Sequence, residues 1–166
     1  TMNRIAQYIA TSNDAPELRA RRLAHLLPAV SIENRQQILD LLRPLPVEGV
    51  LGELRPFFGD DDLRVQKRAT DLVPIEAGRQ AFQILFRQLA SSHAEVRDLA
   101  RRKLTGHALD LYFEALPDIP KGDRRRTLAV LKKVDPSFVL ALRRSLHSKD
   151  EKITIRALMA VRDLDD

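Results

Sequence analysis

Leucine recurs at positions 23, 54, 85, 116 and 146, and a second apolar series, Ile38, Ala69, Ala100, Ala129 and Ala157, runs between its members. Steps in the first series are 31, 31, 31 and 30 residues, and in the second 31, 31, 29 and 28. Two interleaved series sharing one period constrain the fold more than any other feature. Each unit must hold two elements, and equivalent side chains must pack at equivalent places, as in a stacked repeat array.

The apolar spacing within each unit is helical. Val96, Leu99, Ala100 and Leu104 fall at i, i+3, i+4 and i+8, and Phe82, Leu85, Phe86 and Leu89 repeat the stripe. β-branched residues are scattered, and no run alternates with period two. The pattern predicts eleven helices, at 2–11, 16–28, 31–43, 47–58, 62–73, 76–90, 94–105, 107–117, 121–134, 136–147 and 151–164. Ser92–Glu95, Ser148–Glu151 and Asp14–Glu17 read as capping boxes, Asp135–Pro136 as a cap with proline at the first helical position, and Gly59, Gly106 and Gly122 as helix boundaries. The fold expected is all-α: a right-handed α-solenoid of about five antiparallel hairpins in one domain over 1–166. Its units would be 16–43, 47–73, 76–105, 107–134 and 136–164, with helix 2–11 as an N-terminal half-unit.

Three stretches share a finer pattern: an acidic or capped turn, an apolar residue, a basic residue, then a small one. They are Ser92–Ala100, Asp60–Ala69 and Lys149–Ala157. In phase with both series, they resemble the HEAT repeat in its short bacterial form, over roughly residues 16–164. The 34-residue tetratricopeptide pattern needs a Trp that this chain lacks, and the ankyrin Thr-Pro-Leu-His turn is absent. The unit at 121–134 departs from the pattern. Lys133 stands where Leu104 and Val161 stand elsewhere, so that helix is expected to be rotated or shifted by a residue. The resemblance implies a non-catalytic scaffold in which the second helix of each hairpin lines a concave face.

The chain has no Cys, which excludes disulfides and thiolate metal sites. No stretch has the length or apolarity of a membrane span, and no basic-then-apolar leader opens it, so a cytoplasmic location is expected. His25, His93, His107 and His147 lack an i,i+4 partner for a metal, and Asp60–Asp62 reads as negative charge at a helix start. No nucleophile, base and orienter can be assembled, so neither catalysis nor a cofactor is expected.

The net charge is +5, enough to attract polyanions without naming one. Three residues before each small anchor come Arg35, Gln66, Arg97, Arg126 and Thr154. Arg97 and Arg126 are expected to bond turn carboxylates such as Asp62 and Asp123. The cations Arg64, Lys67, Arg68, Arg97, Arg101, Arg102, Arg124, Arg125 and Lys132 form the candidate partner-binding set, with Lys103, Arg126 and Lys133 beside them. Such a face would dock an acidic or helical protein segment; the alternative is a phosphate backbone. Against nucleic acid stands the scarcity of stacking groups, since most Phe lie on apolar stripes and there is no Trp. Helix 151–164 carries more apolar residues than one stripe needs. It is expected to pack against a further repeat, another domain or a second copy, with the chain a piece of something longer.

Overall fold

The structure is a computed structural model that describes residues 2–165, among which there is no strand. Eleven α-helices follow in order: α1 (Met2–Thr11), α2 (Pro16–Leu26), α3 (Ile32–Leu42), α4 (Leu51–Leu54), α5 (Leu63–Asp71), α6 (Arg79–Gln88), α7 (Ala94–Leu104), α8 (Ala108–Ala115), α9 (Lys121–Val134), α10 (Phe138–Leu146) and α11 (Glu151–Asp165). All eleven fall within the expected segments, apart from the last residue of α11.

Two segments expected as single helices are broken. Residues 48–59 form a 3₁₀ turn, the single turn α4 and a second 3₁₀ stretch at Arg55–Gly59. Gly49 and Gly52 weaken a helix there, and Pro56 cannot donate to the i−4 carbonyl, so the chain tightens instead. Pro28 and Pro117 enter 3₁₀ turns at the ends of α2 and α8 in the same way. Gly78, at φ +53°, separates the 3₁₀ turn Ile75–Ala77 from α6. An L side chain is strained in that conformation, so Gly78→Ala should cost about 1–3 kcal/mol in a denaturant melt. Gly59→Ala, with open space around its Cα and no positive φ, is the matched control and should move little.

Helix starts differ from the capping boxes expected. No side chain among the described residues caps α7; the Ser91 hydroxyl, not Ser92, accepts the His93 amide at 3.2 Å in the turn before it. Asp150, not Ser148, accepts the Lys152 amide at 2.8 Å, and Ser148 holds the turn before it. Asp14 makes no cap and binds Arg22 and Ser12 instead. Asp62 does cap α5, accepting from the amides of Arg64 and Val65, as expected of acid at a helix start.

Packing is sequential. Every closely packed pair of α-helices is one or two places apart in chain order, and no close pair joins α1 or α2 to α10 or α11. Odd helices pack α1–α3, α3–α5, α5–α7 and α9–α11; even helices pack α2–α4, α6–α8 and α8–α10. One connected cluster of buried apolar side chains runs from Ala6 on α1 to Ala160 on α11. Leu23, Leu54, Leu85 and Leu116 are all buried in it, as are Ile38, Ala69 and Ala157, and Leu146 packs against it half-covered.

The second series breaks at its fourth member. Ala129 is exposed, and Leu128 and Leu131 take the buried positions of α9. Leu131, not Ala129, stands 31 residues after Ala100, and α9 is turned so that its leucines face inward. α7 and α9 correspondingly are not among the closely packed pairs, although α6 and α8 pack tightly.

Polar side chains at the starts of the odd helices close the preceding helix ends. Arg35 Nε donates to the Leu27 carbonyl at 3.2 Å, Gln66 Nε2 to the Phe58 carbonyl at 2.8 Å, and Arg97 to the Ser91 carbonyl at 2.8 Å. In the shifted unit Arg124, rather than Arg126, takes this role, donating to the carbonyls of Ile119 at 3.2 Å and Leu116 at 3.4 Å. Arg97 and Arg124 donate to backbone carbonyls, not to Asp62 or Asp123, because C-terminal carbonyls lack intrahelical donors; among the described residues Arg35 alone of the row also pairs with a turn carboxylate, Asp60 at 3.3 Å.

Asp135 does not cap α10, whose N-cap is Ser137, and Pro136 is not its first helical residue. The Asp135 carboxylate accepts from the Ser137 amide at 2.9 Å and hydroxyl at 2.7 Å, and from the Gly106 amide at 2.9 Å. Pro136 therefore lies in a turn, α10 begins at Phe138, and the turn is tied to the end of α7.

Candidate interaction surface

The candidate cations divide into two groups. On α5, Arg64 bonds Asp62 at 2.9 Å, Arg68 reaches back to Asp40 on α3 at 3.1 Å, and Lys67 reaches forward to Glu95 on α7. Arg43 joins the row by bridging Asp71 at 3.0 Å. The Arg64 guanidinium holds the Asp62 carboxyl below its ordinary range, and Lys67 does the same for Glu95. Arg101 is paired within its own helix to Asp98 at 3.2 Å. Arg97 and Arg124 are spent on backbone carbonyls.

Lys103 is half-buried and donates to the Val73 carbonyl at 3.0 Å; burial pushes its pKa down against the pull of Asp71 and Glu76. Helix-to-helix ion pairs thus absorb most of the charge of α5. They line an open depression with Leu63, Leu99 and Arg102, too charged to resemble a small-molecule site.

What remains sits toward the C-terminal end. Arg102 on α7 and Arg125, Arg126, Lys132 and Lys133 on α9 are exposed, and none has an ion-pair or hydrogen-bond partner among the described residues. On α9 the spacings place Arg125 with Lys132, and Arg126 with Lys133, on adjoining lines around exposed Ala129. The rotation that buries Leu128 therefore also builds a free basic ridge. Sequence alone missed the neutralising acids Asp40, Asp71 and Glu95. Their signal was phase, since Asp40 and Asp71 are 31 residues apart, the step of the leucine series.

Two further features bear on chemistry. The Tyr112 hydroxyl and Asp163 Oδ2 are buried without partners. Burial, and then the Asp163 charge, push the Tyr112 pKa up to about 12. A group raised in the fold adds stability present in full below its unfolded pKa, and loses it as pH rises through the folded value. The fold should therefore weaken between about pH 10 and pH 12, and Tyr112→Phe should remove that part of the loss in alkaline thermal melts. Absorbance titration of a Tyr8→Phe chain should show the remaining tyrosine ionising late. Among the described residues no cluster of three His, Asp or Glu side chains could hold a metal ion, and no helix is long and apolar enough to cross a membrane.

No family model and no curated protein matches the chain. Among solved structures it is similar to the crystal structure of an engineered protein from a structural genomics consortium, at 21% identity and a TM-score of 0.30. That match takes in 99% of this chain and 62% of the engineered one, and at such a score it carries no inference about arrangement or role.

Proposed function

We propose that the chain is a HEAT-like α-solenoid that works as a non-catalytic binding scaffold, docking an acidic or helical protein segment on the ridge of α9. Support for the solenoid comes from the sequential packing, the repeated closure of helix ends by Arg35, Gln66 and Arg97, and one core threading all units. The observation that carries the binding reading is the contrast in charge. Cations on α5 have carboxylates waiting for them, whereas Arg102, Arg125, Arg126, Lys132 and Lys133 have none. A solenoid face that leaves like charges together unneutralised gains only when something anionic arrives.

The test is titration of a labelled polyglutamate peptide at low and moderate salt. Arg125→Glu with Lys132→Glu should weaken binding roughly tenfold or more, while melting stays within about 0.5 kcal/mol of wild type, as for surface changes. Arg68→Glu should instead cost stability through its Asp40 pair and leave peptide affinity nearly unchanged. Equal peptide affinity in the α9 variant defeats the proposal. A duplex bound more tightly than the peptide, with a steep salt slope, would favour the phosphate-backbone alternative on the same ridge.

A further inference from the structure

Ala129 is exposed on α9. The nearest neighbours of a helical residue on the helix surface stand three and four places away on either side. Here all four are cations: Arg125, Arg126, Lys132 and Lys133. Each is exposed, and none has an ion-pair or hydrogen-bond partner among the described residues. Arg125 and Lys132 lie to one side of Ala129, and Arg126 and Lys133 to the other. The two members of each side are seven residues apart, about 10.5 Å along the axis. A small side chain thus sits at the centre of a rectangle of positive charge.

Acids on the neighbouring elements leave this rectangle unneutralised. Asp123, the acid of α9 itself, falls beyond Arg126 on the side away from Ala129 and pairs with none of the four. α10 carries no acid. On α11, which packs on α9, Asp163 pairs with Arg162 and is largely buried, and Glu151 and Asp165 stand at its two ends. Glu95 and Asp98 of α7 are bound to Lys67 and Arg101, and Asp110 and Glu114 of α8 pair with none of the four. α9 is followed by α10 and α11, so its bare face does not depend on where the chain stops.

A rectangle of this shape selects among anionic partners. Side chains on one face of an extended strand recur about every 6.6 Å, which misses the spacing of the cations at both the first and the second repeat. A helix laid along α9 repeats its own face every seven residues and meets that spacing. Two helices approach to about 8 Å between axes when the side chains at the contact are small, and Ala129 supplies one half of such a contact.

We infer that the α9 ridge docks an acidic α-helix laid along it, with carboxylates at the third and fourth places before and after a small central residue. This partner rests on the reading of the ridge as a docking surface and narrows it to one geometry. The probe is a fluorescent, alanine-rich helical peptide of about twenty residues with four glutamates in that pattern. Its control has the same composition, with the glutamates spread around the helix. Anisotropy titrations should show the patterned peptide binding roughly tenfold or more tightly than the control. Arg126→Glu with Lys133→Glu should weaken it as much as Arg125→Glu with Lys132→Glu, because both sides are engaged. Ala129→Gln should weaken it at least roughly threefold and leave polyglutamate affinity within about twofold, with an unchanged circular-dichroism melt. A patterned peptide with proline beside its centre, which cannot stay helical, should bind no better than the control.

Three results overturn this assignment. Equal affinity for the patterned and spread peptides removes the helix, and leaves the ridge standing if polyglutamate binding still depends on Arg125 and Lys132. Polyglutamate binding indifferent to those two residues defeats ridge and helix together. A generic DNA duplex bound more tightly than the patterned peptide gives the face to a phosphate backbone.

Discussion

Leu128→Ala should destabilise the fold by about 2–5 kcal/mol, the range for deleting a buried leucine side chain, while the neighbouring Ala129→Glu should stay within about 0.5 kcal/mol of wild type. The pair is decisive because the two residues exchange roles according to register. Leucine 128 has no exposed surface, whereas Ala129 lies open among the cations of α9. If Ala129 held the anchor place that the small-apolar series assigns to it, its glutamate variant would unfold the chain. Equilibrium urea melts of both variants, with the slope compared to wild type, distinguish the two registers directly.

Asp135→Ala should be the most damaging polar substitution, on the order of 3 kcal/mol, since hydrogen bonds to a charged group are worth about 1.5–3 kcal/mol each and do not add simply. The side chain is only 2% exposed and serves the Gly106 amide as well as both donors of Ser137. Alanine leaves the Gly106 amide without its acceptor where α7 ends. Asparagine, which keeps one carbonyl acceptor, should recover part of the loss. Hydrogen exchange should locate the damage at residues 104–108 and 135–138. A variant that melts like wild type, with the Gly106 amide still protected, would show that this tie contributes nothing.

The elements of the fold were legible because helical spacing of apolar residues needs only local sequence. Leu85 and Val96 announce their helices without reference to distant residues. Register was legible only while the period held. The departure of the fourth unit was visible as an irregularity at Lys133, but whether Leu128 or Ala129 turned inward depended on the helices around it. Breaks at Pro56 and Gly78 were missed because the apolar spacing continues across them while the backbone does not. Cations were legible as residues and not as charges in context. Arg68 and Asp40, or Lys67 and Glu95, lie 28 residues apart, and nothing short of the packed register brings them together. The candidate set was therefore too broad at α5, and its unneutralised part on α9 depended on the same rotation that overturned Ala129.

The unequal packing around the fourth unit has a mechanical meaning. α6 and α8 are pressed together on one side, and α7 and α9 stand apart on the other. Flexing the molecule there opens a seam that holds little contact to lose, with the α6–α8 side serving as the pin. Two stiff segments joined by a door-like joint should swing more readily than either segment bends. A pair of fluorophores on α5 and α9 should accordingly report a broader spread of distances than a pair placed on α3 and α7.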